Sequence, residues 1–94
     1  MSRNDGYSLL YQEIGRRVAR ARTAAGLSQA KLAAKVKVTR TSVVNIERGR
    51  QRPPVHLLWA MAEALDVEAG SFLPRRRELA ERGAPVQLDA TTVA

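Results

Sequence analysis

The positions of apolar residues predict that most of this chain folds into short amphipathic helices. Over residues 8–25, apolar side chains recur every three or four positions, which places them on one face of an α-helix. Gly26 follows this pattern and is suited to the left-handed conformation that commonly ends a helix. The apolar face of this first predicted helix contains Leu10, Ile14, Val18 and Ala21.

Two shorter helical patterns follow, and a residue with a hydroxyl side chain precedes each of them. Ser28 and Thr39 can cap helices because their side-chain oxygens accept hydrogen bonds from backbone N–H groups of the first turn. We therefore predict helices over 29–36 and 40–48, joined by a tight turn at 37–38. The residues expected to face inward are Leu32, Ala33, Val36, Val43 and Ile46.

Two further helical patterns complete the predicted core. A fourth helix over 55–65 begins beside Pro54, which is tolerated in the first turn because no amide donor is needed there. A short fifth helix over 68–73 follows it. The residues expected to be buried from these two segments are Leu58, Met61, Ala62, Leu65, Val67, Phe72 and Leu73.

These elements predict one all-α domain, a compact five-helix bundle over residues 8–74. Residues 1–7 are polar and are predicted to form a flexible leader. Residues 75–94 are predicted to be a C-terminal extension, in which one more helical stretch over 75–83 precedes a flexible tail. A chain of 94 residues has room for one small domain and little more.

The composition narrows the classes of function that the chain can have. It contains no cysteine, which excludes disulfides and thiolate metal sites. His56 is the only histidine, so a histidine metal site or histidine-based catalysis has nothing to assemble from. No phosphate-binding loop, nucleophile elbow or paired-carboxylate motif occurs, and we predict neither an enzyme nor a cofactor. No apolar run approaches the ~20 residues of a membrane span, so a cytoplasmic protein without membrane contact is expected.

Positive charge is concentrated in the part of the chain that contains the two short helices. The formal net charge is +7, and residues 16–52 hold eleven lysines or arginines but a single acid, Glu47. From residue 53 onward, four basic residues accompany six acids. This segregation is typical of a surface that contacts phosphates. Charge alone would also fit RNA or an anionic membrane.

The third predicted helix has two faces of different chemistry. At about 100° per residue, Val43 and Ile46 point to one side. The opposite side combines guanidinium, hydroxyl, amide and methyl groups, which are the groups that read base edges in a DNA major groove. An ordinary amphipathic surface helix would share this periodicity but would not explain the flanking pattern. The outward residues are Arg40, Thr41, Val44, Asn45 and Arg48.

The combined pattern resembles the phage-repressor and Cro-type (XRE) helix-turn-helix domains, a large family of bacterial and phage regulators. The resemblance covers about residues 14–73 and implies a bundle of that type that binds double-stranded DNA. Lys37 departs from the usual glycine of the turn, and Pro54 departs from the usual Ser or Thr cap. The matching residues are Gln29, Leu32, Ala33, Thr39, Val43, Ile46, Glu47, Arg48 and Gly49, followed by Arg52, Pro53 and the run 61–65.

The resemblance also implies roles for individual residues. The positions implied to read bases are Arg40, Thr41 and Asn45, with Ser42 and Val44 as secondary contributors. The positions expected to contact phosphates are Gln29, Thr39, Arg48, Arg50 and Arg52. A phosphate contact is the alternative role for Arg40, and a helix cap is the alternative for Thr39. An ion pair between Arg22 and Glu47 is implied to tie the first helix to the third.

Two classes of function follow from this pattern. The first is a sequence-specific transcriptional regulator, most simply a repressor, that binds an inverted repeat as a homodimer, with Trp59, Phe72 and Leu73 at the dimer interface. The second is an antitoxin whose tail, over 75–94, binds a partner protein while the domain represses their shared operon. A general nucleoid or RNA binder would show no sequence preference.

Overall fold

A computed structural model describes residues 6–83 of the chain and shows an all-α bundle, as predicted. No strand occurs within this range, and Gly26 has the predicted left-handed backbone, with a φ of 75°. The predictions for 1–5 and 84–94 lie outside the described residues. The elements are α1 Ser8–Ala24, α2 Gln29–Val36, α3 Arg40–Glu47, α4 Val55–Leu65, a 3-10 helix Ala69–Phe72 and α5 Arg76–Glu81.

The two predicted caps and a left-handed lysine shape the α2–α3 turn. The Ser28 hydroxyl oxygen accepts a hydrogen bond from the Lys31 backbone N–H at 3.1 Å, and the Thr39 hydroxyl oxygen accepts one from the Ser42 N–H at 3.0 Å. Lys37 has a φ of 62°, the conformation for which glycine is usual. This backbone costs a lysine about 1 kcal/mol. The turn therefore keeps the expected geometry in spite of the substitution.

Leu57 is a buried leucine of α4 that the pattern did not predict, whereas the predicted Leu58 packs against the core only partly buried. Leu57 is 7% exposed, whereas Leu58 is only partly buried. Because Leu57 lies four residues before Met61 and eight before Leu65, it shares their stripe, and Leu58 lies at its edge. Pro54 is the N-cap of α4 and not its first helical residue. The other core residues are Ile14, Val18, Leu32, Ala33, Val43, Ile46, Met61, Ala62, Leu65 and Phe72.

The fifth helix predicted over 68–73 is in fact the 3-10 helix Ala69–Phe72. Phe72 is its one buried residue, with 1% of its surface exposed, and Ala69 packs against the core partly buried. Val67 and Leu73 are 37% and 53% exposed, so the prediction that they help to close the core is wrong. A single turn with three residues per turn can direct only one of these side chains towards the core.

Ion pairs hold α5 against α1. Leu79 is the one buried apolar residue of this helix, at 8% exposure. The Arg17 guanidinium lies 3.3 Å from the Glu78 carboxylate, and the Arg82 guanidinium donates to the carboxylate of Glu13. Arg17 also donates to the backbone oxygens at 71 and 73, so it joins α1, the 3-10 helix and α5.

Glu13 is a buried carboxylate that the sequence analysis did not single out. It is 5% exposed and accepts hydrogen bonds from Arg16 at 2.9 and 3.1 Å and from Arg17 at 2.8 Å. The hydrogen bond from Arg16 outweighs the opposing effect of burial and, with Arg17, lowers the pKa of Glu13 to about 2. The carboxylate is thus ionised in the folded protein and needs these arginines.

The depressed pKa of Glu13 predicts a loss of stability in acid. The ordinary pKa is 4.5, so between pH 4.5 and about 2 the unfolded chain binds the proton that the folded chain does not. The free energy of unfolding should fall across this window by up to about 3 kcal/mol from this group. Urea unfolding followed by circular dichroism at several pH values measures it. Glu13→Gln, which cannot titrate, should give a flatter profile, and an equally steep profile would contradict the assignment.

Candidate nucleic-acid interface

The outward face of α3 is available to solvent, because two apolar anchors turn the opposite face into the core. Val43 is fully buried and Ile46 is 1% exposed. Arg40 and Thr41 are exposed at the start of the helix, while Val44 and Asn45 are partly exposed. An aligned set of guanidinium, hydroxyl, methyl and amide groups thus stands away from the body of the protein. Arg48, the C-cap residue of α3, is also exposed.

A close approach between α1 and α3 sets the position of α3. Gly15 lies inside α1 and is buried. A Cβ atom on this residue would overlap the carbonyl oxygen of Ile46 and would lie 2.6 Å from that of Glu47. The backbones therefore meet without any side chain between them. A glycine in the interior of a predicted helix, with no turn signal beside it, indicates a close approach of two backbones. This significance of Gly15 was not recognised from the sequence.

Arg22 and Glu47 form the ion pair that the family resemblance implied. Nε of Arg22 donates to Oε2 of Glu47 at 2.6 Å, and Nη2 donates to Oε1 at 3.0 Å. Nη1 of Arg22 donates to the Leu27 carbonyl oxygen at 2.9 Å. The hydrogen bonds to Glu47 raise the pKa of Arg22 further above its ordinary value. This two-pronged contact joins α1 to the C-terminal end of α3.

Gln29 links that ion pair to the first residue of α3. Its Nε2 donates to Oε1 of Glu47 at 2.9 Å, and its Oε1 accepts from Nη2 of Arg40 at 3.4 Å. The side-chain amide expected to grip a phosphate is therefore engaged within the protein. What Gln29 leaves towards solvent is the N-terminus of α2, whose first backbone N–H groups suit an anion.

The basic loop after α3 is fastened to α3 by hydrogen bonds. The backbone N–H groups of Arg50 and Gln51 both donate to the Asn45 carbonyl oxygen, at 2.8 and 3.2 Å. The Gln51 side-chain amide donates to the Ser42 hydroxyl oxygen at 2.8 Å. The Ser42 side chain, expected to read bases, thus also holds the loop. Gln51 is a positioning residue that the sequence analysis did not identify.

The arginines of this loop lie beside the outward face of α3. Arg50 is exposed, and the guanidinium carbon of Arg52 lies 4.8 Å from the centre of the Tyr11 ring. Such a cation–π contact orients the Arg52 side chain on α1. Gly49, with a φ of 76°, turns the chain sharply next to Gln12. Positive charge thus continues from α3 to the start of α1.

The residues expected at a dimer interface do not all lie on the surface. Trp59 is 61% exposed and Leu73 is 53% exposed, and Val55 beside them is 79% exposed. They line a shallow apolar hollow of about 290 Å³. Phe72 is 1% exposed and belongs to the core, so its assignment to the interface is wrong. The 3-10 turn directs its ring inward, whereas Leu73, which follows that turn, lies outside.

The part of the chain that the structure describes contains neither a cluster of metal ligands nor a helix able to cross a membrane. Among residues 6–83, no group of three or more His, Asp or Glu side chains is placed to hold a metal ion. None of the helices in this range is long and apolar enough to cross a membrane. The tail that was predicted to bind a partner protein lies, over 84–94, outside the described residues and stays a prediction.

Comparison with known proteins places this geometry in a family. The helix-turn-helix family HTH_3 matches residues 18–72, which include all of α2, α3 and α4. No curated protein matches the chain. The match covers more than half of the sequence and contains every residue of the outward face of α3.

Solved structures with a similar fold are regulators or DNA-binding domains. The restriction-modification controller protein C.AhdI from Aeromonas hydrophila is 33% identical, with a TM-score of 0.65 over 67% of this chain and 96% of that one. The N-terminal DNA-binding domain of SinR from Bacillus subtilis is 30% identical, with a TM-score of 0.63 over 69% and 96%. The hypothetical transcription factor NHTF from Neisseria is 27% identical, with a TM-score of 0.67 over 87% and 93%. With its exposed α3 face and basic loop, the chain belongs to the XRE-type helix-turn-helix family and is a DNA-binding transcription regulator.

Proposed function

We propose that this protein is a sequence-specific repressor that binds an inverted repeat in double-stranded DNA as a homodimer. The observation that carries the proposal is the outward face of α3, on which Arg40 is exposed and Asn45 partly exposed, while Val43 and Ile46 are buried on the opposite side. Insertion of this face into a major groove would bring these side chains to base edges.

Arg40 is the strongest candidate for reading a base. Its guanidinium can donate two parallel hydrogen bonds to O6 and N7 of guanine, and the Asn45 amide can pair with adenine in a similar way. The Gln29 oxygen, 3.4 Å from the Arg40 guanidinium, supports a restricted orientation of that side chain. Thr41 and Val44 add a hydroxyl and a methyl surface that suit neighbouring bases. Ser42, bonded to Gln51, contributes by holding the loop.

The phosphate contacts are assigned to groups that adjoin this face. Arg48, Arg50 and Arg52 follow α3 in the chain. The side chain of Gln29, the first residue of α2, contacts Arg40 at the start of α3. Thr39 caps α3, and its proposed phosphate contact comes from its position at the start of that helix, beside the DNA backbone. Such contacts orient a protein on the duplex and supply salt-dependent affinity without reading sequence.

Two copies are needed for a selective site. Each good bidentate base contact discriminates by about 1–3 kcal/mol, whereas specific regulators usually prefer their site by about 4–10 kcal/mol. One short helix with two such contacts reaches only the lower part of that range. Two copies on half-sites about 34 Å apart double the number of contacts, and their binding would block other proteins from the same DNA. Trp59 and Leu73 are the proposed dimer contacts.

The test is a selection of bound duplexes from a random library, followed by competition binding of the variants. Arg40→Ala should flatten the preference at one base position by about ten- to a hundredfold, because a bidentate contact is lost. Arg50→Ala should weaken binding to all sequences and reduce the slope of log K against log salt by about 0.9. Fluorescence anisotropy at several salt concentrations measures both effects.

Arg20→Ala is the matched control, because Arg20 is exposed on the side of α1 that faces the 3-10 helix. It removes the same charge but should change neither the sequence preference nor the salt slope. Selection that returns no preferred sequence would refute the proposed function. An Arg40→Ala variant with unchanged preference would refute the reading role of Arg40.

A further inference from the structure

A hollow of about 270 Å³ lies where the basic loop after α3 meets the start of α1. We call it the α1 pocket, and its lining residues are Ser8, Tyr11, Gly49, Arg50 and Arg52. They supply two guanidinium groups and two hydroxyl groups, and none of them is an acid. A phosphate of the DNA backbone carries a negative charge and binds through acceptor oxygens. The chemistry of the pocket therefore suits such a group.

Tyr11 holds Arg52 through its ring and not through its hydroxyl. The guanidinium carbon of Arg52 lies over the ring face, 4.8 Å from the ring centre, whereas the hydroxyl lies in the ring plane. Within residues 6–83, this hydroxyl makes no hydrogen bond, and no buried side-chain oxygen lacks a partner. The Tyr11 hydroxyl therefore reaches solvent and can donate to a ligand in the pocket.

The α1 pocket adjoins the outward face of α3. The Arg50 backbone N–H donates to the Asn45 carbonyl oxygen at 2.8 Å, which holds the loop against the C-terminal half of α3. Gly49 packs so closely on Gln12, the residue after Tyr11, that a Cβ on Gly49 would lie 2.9 Å from the Gln12 Cα. The start of α1 is thus fixed beside the end of α3. A duplex that receives α3 in its major groove would bring a phosphate at the groove edge to this pocket.

We propose that the α1 pocket binds one phosphate of the DNA backbone, to which the Tyr11 hydroxyl donates beside the guanidinium groups of Arg50 and Arg52. Tyr11 then acts twice, because its ring positions Arg52 and its hydroxyl bonds to the phosphate. This inference rests on the proposed function, whose phosphate contacts come from α2, from Thr39 and from the arginines after α3. It adds the first half of α1, which precedes the family match at 18–72, to the interface with DNA.

Tyr11→Phe tests the contact, since it removes the hydroxyl and keeps the ring beneath Arg52. The variant should bind a duplex with one selected half-site about tenfold more weakly, because a hydrogen bond to a charged group is lost. Its sequence preference and its slope of log K against log salt should stay unchanged, because the lost donor is neutral. Arg52→Ala should instead reduce that slope by about 0.9. Fluorescence anisotropy at several salt concentrations measures these effects.

Duplexes in which single phosphates are replaced by neutral methylphosphonates locate the contact. At one position, the replacement should weaken binding of the wild type and abolish its advantage over Tyr11→Phe. The same position should show coupling to Arg52→Ala, because both side chains bind the same phosphate. Tyr7→Phe is the matched control, since Tyr7 lies one turn earlier and does not line the pocket. It should bind as the wild type does.

Three results would each overturn the inference: wild-type affinity of Tyr11→Phe, an equal loss in Tyr7→Phe, or a Tyr11→Phe loss that persists on every methylphosphonate duplex. Backbone contacts do not depend on sequence, so the affinities can also be compared on a duplex of arbitrary sequence at low salt. A loss of about tenfold there, in a protein for which selection returns no preferred sequence, would support the pocket and refute the proposed function. An unaltered affinity beside a clear sequence preference would overturn the pocket alone.

Discussion

Replacing Gly15 by alanine should lower the free energy of unfolding by about 3 kcal/mol, although the same change inside most helices is stabilising. Alanine ordinarily favours a helix over glycine by about 1 kcal/mol. Here the new Cβ would overlap the Ile46 carbonyl oxygen and lie 2.8 Å from the Glu47 carbonyl carbon. Backbone atoms cannot rotate away as a side chain would, so α1 and α3 must separate and the packing beneath α3 is strained.

Urea unfolding followed by circular dichroism measures this effect. Gly70→Ala is the matched control, because no atom lies within 4 Å of a Cβ there and its φ is not in the left-handed region. That variant should stay within about 0.5 kcal/mol of the wild type. The Gly15 variant should also bind DNA more weakly, since Arg40 and Asn45 move with α3. A Gly15→Ala protein as stable as the wild type would show that the two helices are not in backbone contact.

Replacing Glu47 by alanine should cost about 3 kcal/mol of stability, the second large effect expected. The side chains of Arg22 and Glu47 are 16% and 6% exposed, so removal of the carboxylate leaves a largely buried guanidinium without its counter-ion. The Gln29 amide loses its acceptor as well. Arg40 would then be oriented by a glutamine that no longer has a fixed position.

A double-mutant cycle separates the pair from the effects of truncation. Arg22→Ala, Glu47→Ala and the double variant should give a coupling free energy above about 1 kcal/mol in urea unfolding. Glu81→Ala is the matched control, since Glu81 is also the last residue of its helix but is exposed. It should change stability by less than about 0.5 kcal/mol. A coupling free energy indistinguishable from zero would show that the ion pair does not stabilise the fold.

The local pattern of residue types was sufficient to predict those features that depend on a few neighbouring residues. The bounds of α2 and α4 follow from caps and periodicity, and so do the two anchors of α3, Val43 and Ile46. The sequence identified Lys37 as a departure from the usual glycine of the turn, and the structure shows that it adopts the left-handed backbone. The segment after α4 was mistaken for an α-helix, since a short apolar run does not distinguish a 3-10 turn from a longer helix.

The contacts between side chains of different helices or loops could not be predicted from the local pattern. Gln29 was predicted to hold a phosphate and Ser42 to read a base, and the sequence did not indicate that each is also bonded to a partner within the protein. Gln51 gave no local signal, because its partner lies on α3. Arg16 and Arg17 lie at helical spacing from Glu13, but that spacing does not reveal that the carboxylate is buried. Hydrogen bonds of this kind depend on the distances between elements, which periodicity does not contain.

The amino-acid sequence by itself determined the family, the order of the helices and the chemistry of the outward face of α3, because each of these depends on residue type and spacing along the chain. The tertiary structure decided how that face is held: by the backbone contact at Gly15, by the Arg22–Glu47 pair and by the loop bonded to Asn45. It also decided that Phe72 is buried while Trp59 stands outside. The reason is physical, since burial and pairing are properties of packed surfaces and arise only when distant segments meet.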